Sequence, residues 1–349
     1  MSTEGNSSDP RAGRAREDRA TQGTVVVALL ANAVIAVAKA VAGTVASSPA
    51  LLAEAAHSVA DSLNEVFLLA SVSRSRRRPD TRHPFGYGKE RFFWSLLAAI
   101  GIFVTGGCFS FYQGLHTWLA PSESPGSFLA VYVVLAVALV MEGTSLARAL
   151  VQLRRQARAR GRRLGQQIRQ SGDPTVRTVL AEDSTAVFGV LLAAGGVAGH
   201  QISGSPVWEA AAALAIGALL IGVAYRLGRE AQSLLVGQAV DPRLQQRART
   251  LLAEQDEIDT VTTVLTMRLG TDSALLAARV DLREGMDSEE VEEVCVRIKH
   301  QLREACPEFD QVFLDIVDAD RDERVRASAL KKDLDRLIAE QDERDGQGE

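Results

Sequence analysis

Long apolar runs fill the chain up to about residue 228, and the remainder is charged and lacks them. A helix needs roughly 20 mostly apolar residues to cross a bilayer. Such segments are predicted to be helices, because unpaired backbone polar groups are costly in lipid. The pattern predicts an all-α, six-helix transmembrane domain across residues 24–228. Its spans are residues 24–46, 49–72, 92–115, 127–150, 176–199 and 207–227.

The loops between these segments differ in charge. Lysine and arginine are absent after the first, third and fifth segments and abundant after the second and fourth. Basic loops stay on the cytoplasmic side of a membrane, so both termini are predicted to be cytoplasmic. The basic residues are Arg74, Arg76, Arg77, Arg78, Arg82, Lys89 and Arg91 in one loop and Arg154, Arg155, Arg158, Arg160, Arg162, Arg163 and Arg169 in the other.

The N-terminal residues 1–23 are polar, mixed in charge and rich in small residues, which predicts a disordered tail. They contain no short apolar core followed by a cleavage site, so the first apolar run is interpreted as a retained span. The lack of a transit peptide and of a long histidine-rich loop favours the inner or plasma membrane of a cell.

The pattern changes after Asp241 and Pro242. Alternating apolar and polar residues predict strands at 258–269, 274–282 and 309–317, and apolar stripes predict helices at 243–255 and 288–305. This predicts an α+β domain of order α-β-β-α-β over residues 241–320. The charged tail, 321–349, carries leucines at helical spacing, which favours a short, frayed, solvated helix over a dimer seam. These are Leu330, Leu334 and Leu337.

Composition excludes several classes of function. The formal net charge of −5 averages two basic loops with an acidic C-terminal part, which argues against a nucleic-acid binder. The three cysteines show no CxxC spacing, so neither a disulfide framework nor a thiolate zinc site is predicted. No phosphate-binding loop indicates an ATP-driven pump, and no nucleophile with a partnered base indicates an enzyme.

The second predicted span contains ionisable residues, which are costly in a membrane and are usually functional there. His57 and Asp61 are four residues apart and therefore share one face of a helix. An imidazole and a carboxylate are two ligands that suit zinc. The alternative is a buried hydrogen-bonded pair that holds the helices together.

Other predicted spans carry further acids. Glu182 and Asp183 lie two turns into the fifth span, where one of them is expected to face the His57 and Asp61 pair. Glu142 in the fourth span is a candidate ligand, proton carrier or packing residue. Asn32 and Lys39 in the first span are expected to stabilise packing, with Lys39 either snorkelling or pairing with an acid.

Two pairs of motifs resemble a known family. The run SSPALLAEAAHSVADSLNE, followed by HPFGYGKERFFWSLLAAIGIF, resembles the cation diffusion facilitator family. LVMEGTSLA together with LAEDSTAVFG looks like its zinc transporter 9-like branch. The resemblance implies six helices, a cytoplasmic metallochaperone-like domain, a homodimer, and a transport site shared by the second and fifth spans.

The resemblance also assigns residues to that site. His57 and Asp61 match the ligands of the second span, and Asp183 matches the second ligand of the fifth. Val179 stands where the first would be, which leaves Glu182 or Glu142 to complete the site. A weaker loop site would use Asp80 and His83, although Tyr87 stands where a second histidine is common; a turn in a basic loop is the alternative.

These observations predict a divalent metal efflux transporter, a Zn²⁺/H⁺ antiporter working by alternating access. Zinc needs neutral imidazole and ionised carboxylates, so protons compete with it at the same atoms. The alternatives are an exporter of Mn²⁺, Fe²⁺ or Co²⁺ and a membrane-bound metal sensor or scaffold that does not transport. The expected partners are divalent metal ions, the lipid bilayer and a second copy of the chain.

Overall fold

The structure is a computed structural model that describes residues 29–30, 32–120, 127–159, 174–271 and 273–346. The chain forms two compact units. The first contains the described residues of 29–70, 95–152 and 174–228, and the second contains those of 71–94, 153–159 and 229–346. The predicted tail 1–23, much of the second basic loop and Asp272 lie outside the described residues.

Helices dominate the described part of the chain up to residue 236. They are α1 (Asn32–Val45), α2 (Pro49–Ser75), α3 (Glu90–Leu119), α4 (Phe128–Ala159), α5 (Pro174–Ser203) and α6 (Val207–Val236). Four stretches in the described residues are long and apolar enough to cross a membrane, and they lie in α3, α4, α5 and α6. The protein is therefore a helical membrane protein with at least these four candidate spans.

The other two predicted spans form helices of a different character. In α1 the described apolar part runs from Asn32 to Val45. Helix α2 has 27 residues, enough to cross a bilayer, but its ionisable side chains lower its hydropathy. Helices α4 and α6 extend nine residues beyond their predicted spans, because hydropathy marks the edge of the apolar region and not the end of a helix.

Glycines bring helices α3 and α6 close together. Helix α3 contains a π-helical stretch, Ile102–Cys108, and a methyl group at Gly107 would lie 2.7 Å from Ile221 of α6. At Gly217 of α6 it would lie 2.8 Å from the backbone nitrogen of Phe111. Small residues allow close approach of backbones in membrane helices, where water does not drive association. The contact between α3 and α6 therefore depends on these glycines.

The second unit contains a small mixed sheet. Its elements are α7 (Pro242–Ala253), β1 (Ile258–Arg268), β2 (Ala274–Leu282), α8 (Ser288–Ala305), β3 (Phe309–Ile316) and α9 (Arg321–Gly346). The strand order is β1-β2-β3, with β1 and β2 antiparallel and β2 and β3 parallel. The parallel pair requires a crossover, which α8 supplies. The helix and strand order over residues 242–316 agrees with the predicted one.

Capping residues stabilise the N-terminal ends of helices α7 and α8. Asp241 accepts a hydrogen bond from the backbone of Arg243 and is followed by a proline in the first turn of α7. Asp287 and Glu290 form a reciprocal capping box at the start of α8. Such caps satisfy backbone N–H groups that have no partner inside the helix. The core that α7 and α8 form with the sheet includes fully buried Leu252, Leu276, Ile298, Leu302 and Phe309.

The C-terminal tail differs from the prediction. Helix α9 is 26 residues long, so the expected short, frayed helix is wrong. Arg324 bonds Asp259 at 2.6 Å and Asp281 at 2.7 Å, and Leu334 is buried. The helix is therefore held to strands β1 and β2 by an arginine and packed through part of its leucine stripe. The dimer seam, the less favoured alternative for this tail, is not tested by these contacts.

Truncating the core of the second unit tests this arrangement. We expect Ile298→Ala to cost about 2 to 5 kcal/mol of local stability, because it leaves a cavity between α8 and the sheet. The measurement is amide hydrogen exchange of strands β1–β3 in the full-length protein. Val296→Ala on the same helix is the matched control, since Val296 is 62% exposed. Equal acceleration by both substitutions would contradict the packing described.

Candidate metal site

His57 and Asp61 lie one turn apart on helix α2, and their side chains meet as the spacing predicts. His57 Nε2 is 3.3 Å from Asp61 Oδ2. The imidazole is 5% exposed, whereas the carboxylate is 34% exposed. The imidazole nitrogens of the pair are therefore buried, while the Asp61 carboxylate is partly accessible.

The His57 ring is unusual in its lack of partners. Among the described residues, neither Nδ1 nor Nε2 has a hydrogen-bond partner, since the contact with Asp61 lacks hydrogen-bond geometry. A buried polar atom without a partner loses its hydration without compensation, at a cost of about 1 to 3 kcal/mol. A buried polar atom of this kind is commonly satisfied by a bound ion or a water molecule. The imidazole is thus available to bind a cation.

The two acids of helix α5 contact different neighbours. Glu182 accepts a 2.9 Å hydrogen bond from Asn64 of α2, and Asp183 accepts one of 2.9 Å from Ser145 of α4. The Asp61 carboxylate is close enough to both for their charges to interact. Helix α5 thus presents its acids toward the helix that carries His57 and toward α4.

A complete ligand shell is not assembled. No group of three or more histidine, cysteine, aspartate or glutamate side chains in the described part of the chain has the spacing of a metal site. The structure brings His57 and Asp61 together, while Glu182 and Asp183 each bind an uncharged neighbour. The metal-binding roles of these residues, and of Glu142, stay predictions.

Lys39 forms a second charged cluster in the same unit. Its ammonium contacts Glu54 Oε2 at 3.0 Å, Glu142 Oε1 at 2.9 Å and Ser58 Oγ at 2.9 Å. Both Lys39 and Glu54 are fully buried. Of the alternatives for Lys39, pairing with an acid is confirmed and snorkelling is not. Glu142, predicted as a ligand, proton carrier or packing residue, is bound to this lysine.

Comparison with known proteins identifies the family of the chain. Residues 25–236 match the family model of the cation efflux transmembrane domain, and this range includes all the groups described above. The chain belongs to the cation efflux family.

Relatives of this cation efflux protein have informative names. It is 31% identical over 321 residues to "Proton-coupled zinc antiporter SLC30A9, mitochondrial" of Mus musculus, covering 91% of this chain and 54% of that protein. The Xenopus laevis protein of the same name is 33% identical over 74% of this chain and 46% of its own length. "Metal tolerance protein C4" of Arabidopsis thaliana is 32% identical over 77% of this chain and 59% of its own length. The chain thus spans about half the length of these relatives.

Sequence reasoning missed the role of Gly189 in this cation efflux protein. A methyl group at this position of α5 would overlap Glu54 Oε1. The glycine therefore leaves the space in which the carboxylate bound to Lys39 lies. A glycine within an apolar helix was the only available signal, and it does not reveal which side chain faces it.

A third buried cluster was also missed. His200 Nδ1 lies 2.6 Å from Glu209 Oε1, and the other oxygen of Glu209 accepts from Ser48 Oγ. These residues stand at the end of α5, the start of α6 and the turn before α2. The signal was a histidine and a glutamate flanking one short loop, HQISGSPVWE. The cluster ties these three chain segments together.

The predicted loop site forms a turn. Asp80 Oδ1 accepts from the backbone N–H groups of Arg82 and His83, at 2.9 and 2.7 Å. The Tyr87 hydroxyl donates to Asp80 Oδ2 at 2.6 Å, and this bond lowers the pKa of Asp80. Both carboxylate oxygens are therefore engaged within the loop. This geometry favours the turn over the metal-binding alternative for Asp80 and His83.

A methyl group at Gly189 tests the tight fit around Glu54. We expect Gly189→Ala to lower the free energy of unfolding by about 1 to 3 kcal/mol, because the buried carboxylate must move. Denaturant unfolding of the full-length protein in detergent measures it. Gly195→Ala on the same helix is the control, since no described atom beyond its chain neighbours and its own helix backbone lies within 4 Å of a methyl group there. A larger loss in the control would show that Gly189 has no special role.

The loop variant Asp80→Asn/His83→Ala tests the turn. We expect it to bind as many zinc ions per chain as the wild type, because the Asp80 oxygens already accept hydrogen bonds within the loop. Metal analysis after equilibrium dialysis measures the stoichiometry, and Asp61→Asn serves as a variant expected to lower it. Loss of one ion per chain in the loop variant would restore the metal-binding interpretation.

Proposed function

We propose that this protein exports zinc across a membrane in exchange for protons. The observation that carries the proposal is the buried His57 imidazole, which has no hydrogen-bond partner among the described residues and lies 3.3 Å from Asp61. Imidazole and carboxylate together suit zinc, and ionisable groups in membrane helices mark ion pathways. The names of the frog and mouse relatives, proton-coupled zinc antiporters, support the same cargo and counter-ion.

Proton exchange follows from the chemistry of the two ligands. The imidazole must lose its proton to bind zinc, and the carboxylate must be ionised. Histidine changes charge near physiological pH, so a modest change in proton concentration shifts the competition. A site opened to one side of the membrane and then to the other would release zinc where protons replace it. This is a secondary transporter and not an enzyme.

The remaining ligands of the proposed site come from α5. Asp183 and Glu182 interact electrostatically with Asp61, and among the described residues each accepts a hydrogen bond from one neutral donor, which a cation can displace. Zinc takes four ligands in most protein sites, and transport requires that at least one exchanges readily. In the proposed site these two acids complete the shell with His57 and Asp61.

The topology is part of the proposal. All six helices are proposed to cross the bilayer, in a domain of residues 24–228, with the basic loops and both termini in the cytoplasm. The charged segment 241–320 would be a cytoplasmic domain, and two copies of the chain would form a homodimer. The proposed location is the inner or plasma membrane of a cell, whereas the names of the frog and mouse relatives place those proteins in mitochondria.

Two alternatives have specific support. An exporter of manganese, iron or cobalt would use the many carboxylates of the membrane helices, although His57 favours zinc. A metal sensor or scaffold that does not transport is favoured by the lack of any cluster of three ligands in the described residues.

Flux measurements decide between these functions. The full-length protein is reconstituted in liposomes, and zinc and manganese uptake is followed under an imposed proton gradient. We expect proton-dependent zinc flux that falls at least about 10-fold in His57→Ala, Asp61→Asn and Asp183→Ala, since loss of even an outer-shell partner costs a metal site 10- to 100-fold. Val59→Ala, exposed on the same helix as His57, is the matched control.

The other outcomes are equally informative. Zinc flux that survives Asp183→Ala and is lost in Glu182→Ala or Glu142→Ala moves the third ligand to that residue. Manganese flux without zinc flux overturns the choice of metal. Zinc binding without flux of any metal supports the sensor.

A further inference from the structure

The Lys39 ammonium is saturated by three fixed contacts. An ammonium has three N–H donors, and here they meet Glu54, Glu142 and Ser58 at 2.9 to 3.0 Å. These partners lie on two other helices, since Glu54 and Ser58 belong to α2 and Glu142 to α4. Lys39 therefore connects α1 to both.

Stability alone is a weak reason for this cluster. Replacing a buried ion pair by apolar residues is often neutral or stabilising. The cluster is also unbalanced, because one ammonium faces two carboxylates. Glu54 Oε1 and Glu142 Oε2 are buried and lack hydrogen-bond partners among the described residues. These oxygens keep lone pairs without hydrogen bonds, and burying them lowers the stability of the fold. A position that costs stability suggests a functional reason for keeping it.

That position is next to the proposed zinc ligands. Glu54 is three residues before His57 on α2, and Ser58 directly follows His57. Glu142 shares the Lys39 ammonium with Ser58, which places it beside the turn of α2 that carries His57. The two carboxylates held by Lys39 are thus alternative oxygen ligands in the neighbourhood of His57.

We propose that Lys39 is a specificity-determining positioning residue, whose ammonium holds Glu54 and Glu142 away from the transported cation. The inference rests on the proposed transport site at His57 and Asp61. With the lysine in place, an incoming cation meets an imidazole and the Asp61 carboxylate. Without it, two more carboxylates become available, and oxygen-rich sites suit manganese and magnesium where imidazole suits zinc.

The test is Lys39→Met, which keeps an unbranched side chain one heavy atom shorter and removes the charge. Zinc and manganese binding to the purified full-length protein are measured by calorimetry at one pH. We expect the ratio of manganese to zinc affinity to rise at least about 10-fold, because the freed carboxylates act as hard ligands. The triple variant Lys39→Met/Glu54→Gln/Glu142→Gln is expected to return the ratio to the wild-type value.

The triple variant separates the inference from a general structural effect. If Lys39 only held helices together, the change in ratio would persist in the triple variant, and the inference would be overturned. An unchanged ratio in folded Lys39→Met overturns it as well. Lys39→Gln, a neutral residue that still donates hydrogen bonds, carries the same expectation if Lys39→Met does not fold.

Failure of the inference is distinguishable from failure of the proposed function. Zinc binding by the wild type that is weakened in Asp61→Asn supports the underlying site, whatever Lys39 does. An unchanged ratio in Lys39→Met then removes only the role of Lys39. A wild-type protein that binds neither metal overturns both proposals.

Discussion

The burial of one ammonium group between two carboxylates organises the membrane part of this protein. Lys39 is fully buried, so its N–H groups need partners from neighbouring helices. Glu54, Ser58 and Glu142 supply them. These bonds constrain the positions of α1, α2 and α4. They also determine which acids remain available near His57.

Close helix packing is the condition for this network. Gly189 of α5 leaves room for the Glu54 carboxylate, and glycines bring α3 against α6. In lipid there is little hydrophobic gain from bringing helices together, so close contact and polar bonds determine how they associate. Small residues thus allow both the close packing of helices and the placement of a buried charge.

The loop after α2 belongs to the second compact unit, together with the sheet. A methyl group at Gly88 would overlap the carbonyl oxygen of Leu269, and Lys89 Nζ lies 3.6 Å from the sulfur of Met267. The Phe85 ring packs edge-on against the ring of Phe313 in β3, with 6.4 Å between the ring centroids. The chain that leaves the helix carrying His57 is therefore packed directly on the sheet, where Asp80 and Tyr87 shape its turn.

The sequence by itself determined the order of the helical and strand segments as far as β3 and placed His57 with Asp61. These features depend on local patterns: apolar length, alternation in strands, caps at Asp241 and Asp287, and the four-residue spacing of a helix face. Only the tertiary structure decided that Lys39 bonds Glu142, 103 residues away. It also decided that Gly189 faces Glu54 and that α9 is held to the sheet by Arg324. Such contacts depend on how each helix is rotated and packed against others, and a local pattern of residues carries no record of that rotation.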